Sequence, residues 1–144
     1  MPKPCFKLTH KDAKLIMDQA TKAARFHNVP GAIAIVDAGG DLILLESLDD
    51  TMSGASKIAI GKAATAVAFK RPTMEIEKVV LEGRTPMLVL EGSTSETYVP
   101  LKGGYPIRFK GELLGAIAVA GTMDANMDEV VVLEALENMR LVTE

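Results

Sequence analysis

The fold class is decided above all by one segment of the sequence, residues 32–46, AIAIVDAGGDLILLE. Two β-prone apolar runs flank a pair of glycines, which is typical of a β-hairpin closed by a tight turn. The first run is continuously apolar rather than alternating, so we expect both of its faces to be covered by other elements. The segment therefore predicts an antiparallel sheet with helices packed against it.

Helical patterns lie on both sides of this hairpin. Apolar residues recur at helical spacing in four segments, over residues 8–27, 53–70, 74–81 and 126–141. Thr9, Thr73 and Asn126 are the expected N-caps of the first, third and fourth helices. Asp12 and Glu129 stand three residues after Thr9 and Asn126, which is the spacing of a capping box.

Further strands are predicted in the second half of the chain. The short apolar run Met87–Leu90 is interpreted as one strand, residues 91–101 as a loop rich in Ser and Thr, and residues 107–109 and 113–120 as a second hairpin. Together these elements predict an α+β domain over residues 1–144. Its core would be a single five-stranded antiparallel sheet, containing two hairpins and flanked by helices in a layered architecture like that of profilin or PAS domains.

Composition excludes several classes of protein. The 144 residues carry 16 basic and 19 acidic side chains, a net charge of −3, so a broad nucleic-acid surface is not expected. Cys5 is the only cysteine, which excludes an internal disulfide and Cys-based metal sites. The sequence shows no signal peptide or membrane-spanning run, so we expect a cytoplasmic protein without membrane or nucleic-acid partners.

An ordered set of motifs runs along nearly the whole chain. Its members are VDAGG at 36–40, AIGKAATA at 59–66, RPT at 71–73, GGYPI at 103–107 and GELLGAIAV at 111–119. In this order and spacing the motifs resemble the GlcG/PduO-C-terminal (HbpS-like) heme-binding family. The resemblance implies homo-oligomers from dimers to octamers, heme or another small molecule as ligand, and a role beside glycolate- or diol-utilisation pathways. The family's corrinoid adenosyltransferase activity is not expected, because no second domain accompanies this one.

Two histidines are candidate heme ligands. His10 lies in the first turn of the first predicted helix, where it can be an axial iron ligand or an ordinary surface histidine. His27 lies at the other end of that helix, where it can ligate iron or complement the helix dipole. The two are about 26 Å apart along one helix, so they cannot both ligate one iron within a subunit.

Other candidate ligand-binding residues are polar positions in the motifs. Lys62 and Thr65 share a helix face, and Lys62 can hold a carboxylate or a heme propionate, or its stem can cover the core while its charge stays in water. Arg71 can bind a carboxylate bidentately or lie solvated at a helix end. Gly103 and Gly104 suit either a close approach of ligand to backbone or a tight turn.

Catalysis stays open at the level of sequence. Asp37 can act as a base, although an Asp before a glycine turn more often binds nearby backbone N–H groups. Asp37 and Lys62 are the candidate catalytic residues. The sequence leaves three alternatives: a homo-oligomeric binding domain for heme or another tetrapyrrole, a lyase or isomerase acting on hydroxy or oxo acids with Lys62 or Arg71 on the carboxylate, and a structural accessory of a larger enzyme or compartment.

Overall fold

The order of elements follows the helix and hairpin patterns of the sequence closely. The computed structural model describes residues 1–89 and 98–141. The elements are α1 (His10–Phe26), β1 (Ala32–Asp37), β2 (Leu42–Ser47), α2 (Ala55–Phe69), α3 (Thr73–Leu81), a short 3₁₀ helix (Thr85–Val89), β3 (Gly104–Phe109), β4 (Glu112–Ala120) and α4 (Ala125–Met139). Of the predicted loop over residues 91–101, residues 91–97 lie outside the described part.

The described residues form one antiparallel sheet of four strands in the order β2-β1-β4-β3. The α+β class is confirmed, but the described residues show four strands and not the predicted five, because Met87–Val89, the described part of the run Met87–Leu90, forms no strand. These residues belong to the 3₁₀ helix, in which Pro86 has no N–H to donate to a strand partner. Leu88 and Val89 are largely exposed, so this run lacks the buried face that stabilises a strand.

Strand β1 is covered on both faces, as its continuous apolar run predicts. Ile33 and Ile35 pack into a core cluster with α1 and α4. Ala32, Ala34 and Val36 point to the opposite face and contact α2. The molecule therefore has three layers, with α1 and α4 on one side of the sheet and α2 on the other.

The α2 side of the sheet is lined almost entirely by alanine. Small side chains from β1, β4 and α2 meet there and are fully or almost fully buried: Ala32, Ala34, Ala116, Ala118, Ala120, Ala55, Ala59, Ala63 and Ala66. Methyl groups on both partners let the helix backbone approach the sheet closely. The opposite face is filled by the larger Ile and Val side chains instead.

Helix ends agree only in part with the predicted caps. Thr9 and Asp12 form the predicted capping box of α1. Asn126 is not the cap of α4, because Asp124 takes that position and its carboxylate accepts the Asn126 backbone N–H at 2.9 Å. Thr73 does not cap α3 either, since it is the first helical residue and its hydroxyl binds β3 instead. Within the described residues, no helix combines the length and apolar character needed to cross a bilayer.

Candidate functional site

Two of the sequence motifs, RPT and GGYPI, meet at the edge of the sheet. The buried Thr73 hydroxyl accepts the Gly104 backbone N–H at 2.9 Å and lies 3.4 Å from the Gly104 carbonyl oxygen, to which it donates. This pair of hydrogen bonds fixes the start of α3 on the start of β3. The residues that flank Thr73 and Gly104 consequently face each other across a groove.

That groove is rich in cationic side chains, and we call it the basic groove. It is open, has a volume of about 540 Å³, and is lined by Lys70, Arg71, Pro72, Glu75, Tyr105, Pro106 and Arg108. Three of these residues are cations and one is an anion. The groove therefore has the charge and the size of a site for an anionic small molecule.

The two guanidinium groups of the basic groove are anchored by backbone carbonyls. Arg108 Nη2 donates to the Lys70 carbonyl oxygen at 2.8 Å, and Arg71 Nε donates to the Phe69 carbonyl oxygen at 3.4 Å. A guanidinium has five N–H donors, so these contacts leave most of them available to a ligand. Bidentate pairing with a carboxylate is the contact that this geometry favours.

Tyr105 lines the basic groove and also packs against the core cluster on the α1 and α4 side of the sheet. Burial raises the pKa of this phenol, and the carboxylates of Glu129 and Glu75 raise it further. The phenol therefore stays protonated at neutral pH. In that state its hydroxyl can donate a hydrogen bond to a bound anion.

Lys62 lies in the core beside the groove-forming motifs rather than in water. Its Nζ donates to the Val119 carbonyl oxygen at 3.0 Å and to Asp128 Oδ2 at 3.1 Å. The Lys62 and Asp128 side chains are only 3% and 6% exposed. The interpretation that the charge of Lys62 stays solvated is therefore wrong. Asp128 was missed because an acidic residue in the first turn of a helix is ordinary.

The packing around Lys62 explains why residue 103 is a glycine. A Cβ at Gly103 would lie 2.8 Å from the Val119 carbonyl oxygen and 2.9 Å from Lys62 Nζ, and the backbone φ is +123°. Only glycine fits this conformation and this space. The atoms that approach Gly103 closely therefore belong to the protein itself and not to a ligand. Gly104 lies against the side chain of Thr73.

A second polar cluster lies next to the Lys62–Asp128 pair. Glu129 has one buried carboxylate oxygen, Oε2, without a hydrogen-bond partner in the described residues. Burial raises the pKa of the Glu129 carboxyl; Lys102 and Lys62 oppose the rise, and Glu77 adds to it. Lys102 Nζ itself lies 3.9 Å from Glu77 Oε2. The Glu129 charge is therefore poorly compensated.

Thr65 connects α2 to the segment that precedes β3. Its hydroxyl donates to the Gly61 carbonyl oxygen at 2.7 Å and accepts the Val99 backbone N–H at 2.8 Å. The side chain is fully buried. Thr65 thus ties the chain at Val99 to the helix that also carries Lys62.

The remaining candidates lie away from the basic groove. His10 is exposed in the first turn of α1, in the layer on the other side of the sheet from α2. His27 follows the last turn of α1, and its Nε2 lies 3.1 Å from Glu134 Oε1. Within residues 1–89 and 98–141, no three or more His, Cys, Asp or Glu side chains cluster in a way that could hold a metal ion.

Asp37 closes the first hairpin. Its Oδ1 accepts the backbone N–H groups of Gly39 at 2.9 Å and Asp41 at 3.0 Å, and Gly40 has a φ of +87°. Asp37 pairs with Gly115 on β4, whereas Lys62 binds a carbonyl four residues further along that strand, about 13 Å away. The structure therefore does not bring the two candidate catalytic residues together.

Fold and motifs together define an α+β protein of the HbpS-like class. The family model described as "Haem degrading protein HbpS-like" matches residues 8–137, and the chain belongs to this family. The resemblance inferred from the ordered motifs is thereby confirmed.

Individual relatives agree with this assignment. Protein GlcG of Escherichia coli K12 is 32% identical over 113 residues, which are 78% of this chain and 81% of GlcG. The crystal structure of a PduOC:heme complex has a TM-score of 0.82 at 29% identity and covers 92% of this chain and 94% of its own. A double mutant of Streptomyces reticuli HbpS has a TM-score of 0.83 at 25% identity, covering 96% of this chain and 90% of its own.

Proposed function

We propose that this chain is a homo-oligomeric binding protein for heme or another tetrapyrrole, accessory to a catabolic pathway of the glycolate- or diol-utilisation type. The observation that carries the proposal is the likeness to PduOC, which was crystallised with heme and matches more than nine-tenths of this chain. Membership of the HbpS-like family supports the same ligand.

The basic groove fits the acidic edge of such a ligand. A tetrapyrrole carries carboxylates, and Arg71 and Arg108 offer guanidinium donors for them, with Lys70 as a third cation. The Tyr105 hydroxyl adds a neutral donor. A volume of about 540 Å³ lies within the range of small-molecule sites. Bound heme would supply an iron centre, and the groove residues would hold and orient its propionates.

His10 is our proposed iron ligand, with His27 as the second candidate. His10 lies on α1, whereas the basic groove opens at the end of α2, on the other side of the sheet. A heme that contacts both is therefore expected to lie between subunits. His27 Nε2 is already paired with Glu134, so binding of iron through this atom would require that contact to break.

The surface of α2 supports an oligomer. Ile58 and Ile60 flank the contact between α2 and the sheet and are only partly buried, and Ala64 is partly buried as well. A helix that is apolar all round is normally covered on all sides. Large apolar side chains are also exposed elsewhere, including Leu42 and Met52. A contact between copies would cover such residues.

A hemin titration followed by visible absorbance tests the proposal. Wild type is compared with His10→Ala, His27→Ala and the double variant, and with Arg71→Ala and Arg108→Ala, using Arg25→Ala on the exposed end of α1 as the charge-matched control. We expect a saturable Soret shift that is lost in His10→Ala, weakened in the two groove variants and unchanged in the control. A wild type without a saturable shift would refute heme binding. A shift that persists in the double variant would exclude histidine as the ligand.

A further inference from the structure

The two edges of the sheet differ in how their backbone groups are satisfied. β3 forms one edge and β2 the other. Alternate residues of an edge strand face outwards, and on β3 these are Gly104, Pro106 and Arg108. The Gly104 N–H donates to the Thr73 hydroxyl at 2.9 Å, and the Arg108 N–H donates to the Leu141 carbonyl oxygen at 3.2 Å. Pro106 has no N–H. Each outward position of β3 is therefore closed to a further strand.

The edge formed by β2 is open. The Leu48 N–H donates to the Gly31 carbonyl oxygen at 2.9 Å, so Glu46, two residues earlier, also has its backbone groups towards β1. The N–H and C=O groups of Leu45 and Ser47 consequently point away from the sheet. Within the part of the chain that the structure describes, these outward groups have no hydrogen-bond partner.

β2 has few of the features that keep a strand edge from pairing. It contains no proline, and its only charged side chain is that of Glu46. The irregularity in its pairing with β1 lies towards the turn, between Ile35 and Val36. Leu45 is 37% exposed. A regular strand edge with an exposed leucine is a template for an added strand.

The charge at the end of β2 is negative. A cavity of about 550 Å³ lies there, lined by Glu46, Asp49 and Asp50 and by the guanidinium of Arg25. Three carboxylates and one guanidinium give these lining residues a net charge of −2. None of the three carboxylates is in an ion pair within the described residues. A cationic side chain is the complement of this cavity, which is large enough to receive a lysine or an arginine.

The two faces of a strand added to β2 would meet different surroundings. Leu45 is paired with Ala34 of β1 and lies on the α2 side of the sheet. Glu46 is paired with Ile33 and lies on the α1 side. Successive residues of a strand point to opposite faces. The added strand therefore needs apolar residues beside Leu45, alternating with basic residues beside Glu46 and the cavity.

We propose that the open edge of β2 binds an extended peptide segment in which apolar and basic residues alternate, adding it to the sheet as a further strand. Backbone hydrogen bonds to Leu45 and Ser47 supply affinity, and the alternation supplies specificity. A second copy of β2 is a poor occupant, because two-fold pairing brings the carboxylates of Glu46, Asp49 and Asp50 of both copies towards one another. The proposal goes beyond heme binding and does not depend on it.

The test uses the peptide acetyl-Lys-Val-Lys-Val-Lys-amide and the full chain. Calorimetric titration should show saturable binding. Amide hydrogen exchange followed by NMR should slow about tenfold or more at Leu45 and Ser47 when the peptide is added, because their outward N–H groups gain partners. The amides of Gly104 and Arg108 should be unaffected, since they are already bonded.

A charge exchange tests the choice of a basic partner. Glu46→Lys should weaken binding of the lysine peptide several-fold and strengthen binding of the same peptide with glutamate in place of lysine. Glu137→Lys, at an exposed position of α4, is the charge-matched control and should change neither. A peptide N-methylated at its valines should bind at least several-fold more weakly, which tests the backbone hydrogen bonds without altering the protein.

Three results would overturn the proposal. One is the absence of saturable binding of the lysine peptide at millimolar concentration. Another is equal affinity of wild type for the lysine and glutamate peptides, which would exclude selection by charge. The third is slow amide exchange at Leu45 and Ser47 in the free protein, which would mean that a second copy already pairs with β2. None of these measurements involves hemin, so failure of the heme proposal leaves the test intact.

Discussion

Lys62 Nζ and Asp128 Oδ2 lie 3.1 Å apart in the interior, joining α2 to the first turn of α4 across 66 residues of sequence. Both side chains are almost completely buried. Transfer of two charges from water is costly, and the attraction between them and the hydrogen bond to the Val119 carbonyl offset that cost. Each buried charge is therefore tolerated only because the opposite charge lies beside it.

Removal of one partner should destabilise the fold severely. Lys62→Met leaves the Asp128 carboxylate buried and uncompensated, so we expect the free energy of unfolding to fall by about 3–5 kcal/mol. The double variant Lys62→Met/Asp128→Leu should recover most of this loss, since no isolated charge remains. Urea unfolding of wild type, Lys62→Met, Asp128→Leu and the double variant measures both effects. A double variant as unstable as the sum of the single changes would contradict a coupled pair.

Gly103 should tolerate no side chain. In Gly103→Ala the new Cβ meets the Val119 carbonyl and Lys62 Nζ, and we expect a loss of about 2–4 kcal/mol. Gly83→Ala is the matched control, because Gly83 also has a positive φ, of +105°, but nothing lies within 4 Å of its Cβ position. The control should lose only about 1 kcal/mol. Equal losses in urea unfolding would mean that backbone strain alone, and not packing, requires glycine at 103.

Glu129 should make stability depend on pH in the acidic range. Because its pKa is raised in the folded state, the folded chain holds a proton over a range above pH 4.5 in which the unfolded chain has released it. Stability therefore falls as pH rises through this range, and the penalty is complete above the folded pKa. Glu129→Gln should be more stable than wild type at pH 7, by less than about 1 kcal/mol because water partly screens this side chain.

The control for the Glu129 prediction is the same comparison at a pH well below 4.5. There the carboxyl is protonated in both states, and the two proteins should have similar free energies of unfolding. A difference that is independent of pH would show that Glu129 acts through packing or hydrogen bonding rather than through its charge.

The proposed assembly has a direct measurement. Light scattering at micromolar concentration should return the mass of a dimer or larger species, because the outer side of α2 is apolar and the molecule exposes Leu42, Leu45 and Met52. Ala64→Glu, in the middle of that outer side, should shift the mass towards the monomer. Lys22→Glu, at an exposed position of α1 on the other side of the sheet, is the control. A monomeric wild type would refute the oligomer.

The sequence predicts the elements that depend on local patterns. Three of these predicted features have a local physical cause and are present in the structure. They are the helical spacing of α1, the glycine turn after Asp37 and the continuously apolar run that forms β1. The run Met87–Leu90 misled the prediction because four apolar residues favour a strand by propensity alone, whereas a strand also needs a partner strand. Asp124 and Asn126 are both favourable N-cap residues and lie two positions apart. Propensity alone cannot choose which of them caps the helix.

The candidate site is harder to predict from the sequence than the fold, because residues that lie together in it are far apart along the chain. Arg71 is predicted only as a candidate carboxylate binder, and Arg108, which lines the same groove, is 37 residues away and lies on a strand. The buried state of Lys62 depends on Asp128, which looks like an ordinary first-turn acid. The roles of His10, His27 and the groove residues in ligand binding stay predictions.

The alanine contact between α2 and the sheet has a consequence for ligand size. α2 ends at Phe69, immediately before Lys70 and Arg71, whereas Tyr105 and Arg108 belong to the sheet itself. The distance between the two walls of the basic groove is therefore set by the interlayer spacing, which methyl groups keep short. A larger residue such as leucine at Ala63 would push the helix outwards and widen the groove. The buried alanine side chains would thus determine how large a ligand the groove accepts, although they do not contact the ligand.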